Sequence, residues 1–208
     1  MLELTMRSDE SPWFVVIGAS GREGLTDLRD LLGLLPAQIN AVVMVVLHRP
    51  WNAVSQLQPV LAKATSLRVV VAETGESLER GTVYLGLPAE HLTLIESNLG
   101  RLVDDPTREY RNRTVDLLFA SAAARAGACT IGVVLSGSLD DGSRGLAAIH
   151  AAGGLTMVLD RPPQADGMPE NAIRYDGPID VLGKLEEIAA AIRTATQVRA
   201  GRHTVPTA

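Results

Sequence analysis

The sequence predicts an α/β fold: a doubly wound, mostly parallel sheet with an antiparallel edge, built as a single domain. Three observations predict it. Compact β-branched runs alternate with longer stretches of helical spacing, the rhythm of strands joined by crossover helices. Two of those runs, residues 41–47 and 130–135, are apolar without alternation, as strands buried on both faces are. At 208 residues the chain is long enough for one sizeable core and cramped for two.

Residues 1–12 form a polar extension, and residues 13–198 form the domain. The apolar run Trp13-Phe-Val-Val-Ile17 gives the first strand and breaks into Gly18-Ala-Ser-Gly-Arg-Glu-Gly24. In the helix that follows, Leu25, Leu28, Leu31, Leu32 and Leu35 share one face, and Pro36 ends it. Residues 41–47, bounded by Asn40 and His48, are a central strand. A helix over 53–64 and a strand over 68–72 come next. Between 76 and 105 the texture changes to short strands, 82–85 and 91–95, with Asn98 and Gly100 as turn residues, and antiparallel pairing at the sheet edge is expected. The rhythm then resumes with an alanine-rich helix over 114–126, a strand over 130–135, a helix over 143–152 and a strand over 154–159. A proline-containing loop runs to Met168, a helix over 181–195 closes the domain, and residues 199–208 are a frayed tail.

Composition bounds the function. The net charge of −5, with basic residues scattered, lacks the footprint of a nucleic-acid binder. The start of the chain lacks the order of a signal peptide, and no apolar run approaches the roughly 18 residues of a membrane span, so a cytoplasmic protein without membrane insertion is expected. The lone Cys129 allows no internal disulfide and reads as a small buried residue beside the strand over 130–134.

Three strand ends hold polar residues suited to catalysis: Ser20, His48, and the turn Ser136-Gly-Ser-Leu-Asp-Asp-Gly142. In a parallel sheet such ends converge on one rim. A serine is a poor nucleophile until a histidine takes its proton, and a carboxylate holds that ring in the required tautomer. Either Asp140 or Asp141 could serve. Backbone N–H groups after Ser20, at a helix start, would face a developing oxyanion. Each residue also has a plainer reading: Ser20 as a turn or cap, His48 as a strand-end residue bonded to backbone, and the aspartates as caps before Ser143.

A cofactor reading competes. Gly18-x-x-Gly21-x-x-Gly24 resembles the phosphate-binding turn of NAD(P)-dependent reductases, and Arg49 could accept a 2′-phosphate. Against it, His48 stands where an NAD site needs an acid, and no Tyr-x-x-x-Lys follows. No cofactor and no metal are expected.

Six segments in order, Ile17-Gly-Ala-Ser20, Leu47-His-Arg-Pro50, Tyr84-Leu-Gly-Leu-Pro-Ala-Glu-His-Leu92, Arg113-Thr-Val-Asp-Leu-Leu-Phe119, Val134-Leu-Ser-Gly-Ser-Leu-Asp-Asp-Gly142 and Gly167-Met-Pro-Glu-Asn-Ala-Ile173, resemble the catalytic domain of the CheB protein-glutamate methylesterases. The resemblance implies a triad of Ser20, His48 and Asp141, choosing Asp141 over Asp140. It places Gly21 and Ser138 around the oxyanion and Met168 in substrate binding. It also implies demethylation of glutamyl γ-methyl esters on chemoreceptors, with release of methanol, and deamidation of receptor glutamines.

The partner so implied is a methylated chemoreceptor-like protein. About a dozen residues precede the first strand, against roughly 100 for a domain, so a receiver domain or methyltransferase is expected only in trans. The chain departs from the family pattern in three places. Gly21-Arg-Glu-Gly24 reads as a one-residue insertion with two charged side chains, Leu47 replaces a glutamine, and Ser138 replaces a methionine. Two alternatives therefore stay open: a same-fold interaction module with weak or no esterase activity because Arg22 and Glu23 distort the oxyanion turn, and the NAD(P)-binding reductase.

Overall fold

The computed structural model describes residues 12–49, 55–96, 98–105, 107, 113–162, 167–175 and 177–197. Along the chain come β1 (Trp13–Ser20), α1 (Gly21–Leu34), β2 (Ala41–His48), α2 (Leu57–Ala62), β3 (Arg68–Val71), β4 (Thr82–Leu85), β5 (Glu90–Glu96) and β6 (Leu99–Asp104). Then follow α3 (Thr114–Ala126), β7 (Thr130–Val134), α4 (Ser143–Ala151), β8 (Leu155–Leu159), α5 (Met168–Arg174), β9 (Val181–Gly183) and α6 (Leu185–Gln197).

Seven strands form one parallel sheet in the order β3-β4-β2-β1-β7-β8-β9. The chain winds outward from β1 in one direction through β2, then returns to add β7 on the other side of β1. That reversal leaves a crevice beyond the carboxyl ends of β1 and β7, where doubly wound sheets hold ligands. Alternation along β1 sorts two cores. Val15, Ile17 and Ala19 pack with Leu28, Leu31 and Leu32 of α1 and Ile188 and Ile192 of α6. Phe14 and Val16 pack with Val115 and Phe119 of α3 and Leu146 of α4. Each fully buried side chain of this size contributes roughly 1.5–3 kcal/mol, which is why the central strands are almost wholly apolar.

The expected antiparallel element exists as a separate two-stranded sheet, β5 against β6, with Gly100 inside β6 opposite Leu94. The run over 82–85 does not join it. All four residues of β4 are buried, and the strand lies parallel between β2 and β3, as two-face burial demands. The expected closing helix over 181–195 is two elements, since Val181–Gly183 adds the short edge strand β9 before α6 begins at Leu185. α2 begins at Leu57, and residues 53 and 54, expected in that helix, lie outside the described residues. So do residues 1–11 of the polar extension and the whole expected tail, 199–208. Cys129 is half-buried at the end of a single 3₁₀ turn rather than buried in the core, and desolvation raises its thiol pKa, which keeps it protonated and unreactive.

Candidate active site

Side chains alternate across a strand, so Gly18 and Ser20 continue the β1 face that carries Phe14 and Val16 toward α3. Val115, in the first turn of α3, sits directly over Gly18; a Cβ there would lie 2.3 Å from Val115 Cγ1. Gly18 is therefore a packing glycine within β1 rather than the tight-turn glycine of a phosphate-binding loop. Ser20 is extended (φ −144°, ψ 145°) at the head of α1, yet its side chain makes no capping hydrogen bond. The hydroxyl is not spent on the helix. Gly21 follows with φ +70°, a left-handed conformation that glycine adopts at little cost, and turns the chain from strand into helix.

β1 and β2 pair in a register that sets Ser20 opposite His48. Partners in a parallel pair point to the same face, so the imidazole shares the α3 side with Ser20. Nε2 of His48 lies 2.8 Å from Asp141 Oδ2 and 2.9 Å from Thr114 Oγ1. The Asp141 carboxylate is fully buried and accepts the N–H groups of Val115 (2.9 Å) and Asp116 (2.8 Å), the orphan donors of the first turn of α3. A helix N-terminus thus faces its negative charge. Asp140, by contrast, is exposed and meets Arg144 at 3.5 Å. The geometry separates the two aspartates that sequence alone left open.

Asp116 returns the arrangement. Its Oδ1 accepts the N–H groups of Gly142 (3.0 Å) and Gly145 (2.8 Å), so each carboxylate caps the helix that the other precedes or begins. Burial pushes the Asp116 carboxyl above the usual aspartate range, and the neighbouring charge of Asp141 adds to the rise. The Gly145 and Gly142 N–H groups and Arg144 pull the other way.

The wall behind Ser20 comes from the loop after β7. The Ser20 N–H donates to Ser136 O at 2.9 Å, and Met168 N–H donates to Gly137 O at 2.8 Å. A Cβ on Gly137 would lie 2.6 Å from Ser20 Cβ and 2.4 Å from Met168 Sδ, so only glycine fits between them. Ser138 forms a β-bridge with Gly167, which ties this loop to the head of α5. Met168 is fully buried, so it packs the wall rather than facing solvent.

The turn after Ser20 runs directly into α1, with Arg22 and Glu23 inside the helix. They lie exposed in the first turn of a regular α1. Glu23 meets Arg161 at 3.2 Å, and Arg161 also meets Asp27 at 3.6 Å. The Ser136 hydroxyl donates to Asp27 and accepts from Arg161. These charges bind the head of α1 to the residue that holds the Ser20 backbone.

The structure therefore brings His48 and Asp141 into direct contact and sets Ser20 beside them by register. Among the described residues no Ser20–His48 hydrogen bond forms, and a serine–histidine pair of this kind often closes only on binding substrate. Thr114, Asp116, Asp27 and Arg161 were not foreseen as site residues, and Ser136 only as part of the turn after the strand over 130–135. The one signal for them was Thr114-Val-Asp116 at the start of the helix over 114–126, a pattern that also suits a cap.

Fold and rim define a doubly wound α/β domain with serine, histidine and aspartate gathered at its carboxyl edge. The chain belongs to the CheB methylesterase family, whose model matches residues 15–192. It is 35% identical over 182 residues to protein-glutamate methylesterase/protein-glutamine glutaminase 3 of Burkholderia thailandensis, covering 86% of this chain and 50% of that protein. It is 33% identical over 186 residues to protein-glutamate methylesterase/protein-glutamine glutaminase 2 of Rhodospirillum rubrum, covering 87% and 50%. The chain thus spans about half the length of the curated relatives it matches. The crystal structure of the Thermotoga maritima CheB methylesterase catalytic domain superposes with a TM-score of 0.78 at 26% identity, covering 88% of this chain and 98% of that one. Among the described residues no helix is long and apolar enough to cross a membrane.

Proposed function

We propose that this chain is a serine esterase that hydrolyses glutamyl γ-methyl esters on a methylated chemoreceptor-like protein, in the cytoplasm. The observation that supports it most is the buried His48–Asp141 pair at 2.8 Å, at the end of the strand that sets His48 opposite Ser20. With Nε2–H held by Asp141, Nδ1 is the basic nitrogen and takes the Ser20 proton as Oγ attacks the ester carbonyl. The tetrahedral oxyanion forms at the head of α1, where the Gly21 N–H has no intrahelical partner, with the Ser138 loop on its other side. Collapse breaks the carbon–methoxide bond, and His48 returns the proton to give methanol. Water then repeats the cycle and releases the glutamate carboxylate. A glutamine amide follows the same path and releases ammonia. Asp141 orients the ring and stabilises the imidazolium throughout. A receiver domain or a methyltransferase acting in trans is the regulatory partner this reading implies.

The test is labelling with a serine-directed sulfonyl fluoride, read by intact mass, beside methanol release from a methylated receptor fragment. One adduct and methanol release, both lost in Ser20→Ala, support the reading. No adduct at high reagent excess, together with no methanol, overturns it.

A further inference from the structure

Beyond His48 the rim opens into a cavity of about 370 Å³ between the ends of β2 and β4 and the head of α2, lined in part by Arg49, Gln58, Leu85, Leu87 and Glu90. Arg49 is the informative residue. Its Nη1 donates to Leu47 O at 3.2 Å and its Nη2 to Gly86 O at 2.6 Å, both neutral acceptors. Its Nε is buried without a partner, and among the described residues no carboxylate lies within ion-pair distance of the guanidinium. Arg49 as a whole is half-buried, and a cation held partly out of water is normally paired, because desolvating the charge is costly unless an anion compensates it. Arg161 makes the contrast within the same chain. Its Nε is also buried and unbonded, but Glu23 and Asp27 meet its charge. Arg49 has five N–H donors and makes two of the bonds above, so donors of its guanidinium fork remain unspent where it lines the cavity.

Position gives that fork a use. Arg49 follows His48 directly, His48 stands opposite Ser20, and neighbouring strands lie about 4.8 Å apart. The cavity therefore opens at the same carboxyl rim, one strand over from Ser20 and toward the Leu57 and Leu85 side of the sheet. We propose that this cavity is a carboxylate subsite, in which Arg49 takes an acidic side chain of the protein substrate near the methyl-esterified glutamate. A planar carboxylate matches the guanidinium fork in shape and charge. The subsite supplies binding energy remote from the reacting carbonyl, and it selects ester groups that sit in acidic sequence. Glu90 lines the same cavity unpaired with Arg49, so a seated acid is held against its repulsion, and removing that charge strengthens the seat. The proposal rests on the esterase reading for the identity of its substrate, though not for the binding itself.

The experiment uses pentapeptides with one central glutamyl γ-methyl ester and a glutamate scanned through the flanking positions, each matched by a glutamine control. Binding is measured by calorimetry on the Ser20→Ala protein, and turnover by methanol release from wild type. At one position or more, glutamate should bind about tenfold tighter than glutamine, the size of one charge-assisted hydrogen-bonded pair. Wild type should show the same preference, expressed through KM. Arg49→Met in the Ser20→Ala background should abolish the preference, Arg49→Lys should retain part of it, and Glu90→Gln should increase it. Equal binding of the glutamate and glutamine peptides at every position overturns the subsite, as does a preference that survives Arg49→Met or weakens in Glu90→Gln. A binding preference without methanol release from any ester leaves the subsite standing and removes the esterase reading. Methanol release without any preference does the reverse.

Discussion

Thr114 and Asp141 hold one nitrogen of His48 from two sides, and they do different work. Asp141 brings a charge desolvated by burial and aimed by two backbone N–H groups, whereas Thr114 brings a neutral hydroxyl. Replacing Asp141 by Asn keeps the size but presents an amide to the ring, which favours the wrong tautomer. In another serine hydrolase the corresponding change costs on the order of 10⁴ in kcat. We expect methanol release to fall at least a thousandfold in Asp141→Asn, while Asp140→Asn, at an exposed side chain that meets Arg144, stays near wild type. Equal losses in the two variants would reassign the carboxylate. Thr114→Val removes one neutral hydrogen bond, worth about 1 kcal/mol, so kcat should drop about fivefold with KM unchanged. Thr114→Ser should restore it, because the hydroxyl and not the methyl group positions the ring. A loss that serine fails to rescue would mark Thr114 as a packing residue of α3.

At the scale of elements, Ser20 is a junction between β1, α1 and the loop after β7, and Gly137 sets the spacing of that junction. A methyl group there meets the Ser20 backbone N at 2.9 Å and its Cβ at 2.6 Å, atoms fixed by the sheet. Gly137→Ala should destabilise the fold by about 1–3 kcal/mol, as overpacking does. It should also lower activity at least about a hundredfold, since a shift of about 1 Å in the nucleophile is enough for that. Thermal unfolding and methanol release measured on one preparation check both, and wild-type activity would show that the loop gives way instead. Elements of this kind differ in how far sequence exposes them. Residues 41–47 and 130–135 were legible because a strand buried on both faces must be apolar throughout. β4 carries the same signature in Thr82-Val-Tyr-Leu85, but its four residues sit beside an alternating strand and were drawn into the antiparallel pair. β9 has three residues, too few for any period, and merged with the helix after it. Ser20 and His48 were legible as polar residues ending apolar runs. Asp116, Asp27 and Arg161 were not, because each acts on a backbone or side chain brought near only by the packed sheet.

Across the whole molecule, Asp141 and Asp116 stitch α3 to the loop and helix that follow β7. They lie 25 residues apart in sequence, and each accepts N–H groups from the other's segment. This arrangement places two buried carboxylates close together, and Asp116 bears the cost. Its folded pKa lies above the ordinary aspartate value of about 3.9, raised first by burial and further by the charge of Asp141. The folded protein therefore holds the Asp116 proton more tightly than the unfolded chain does. The resulting stabilisation is complete below the unfolded pKa and is lost as pH rises through the folded pKa. Asp116→Asn preserves an oxygen to accept from Gly142 and Gly145 but cannot ionise. The unfolding free energy of the Asn variant relative to wild type should thus rise from acid pH, through the range just above the ordinary aspartate value, to a plateau. Urea denaturation across that pH range, with m held common to both proteins, measures the difference. A difference independent of pH would mean that Asp116 ionises as freely in the fold as outside it, and that the hydrogen bonds from α4 fully offset its burial.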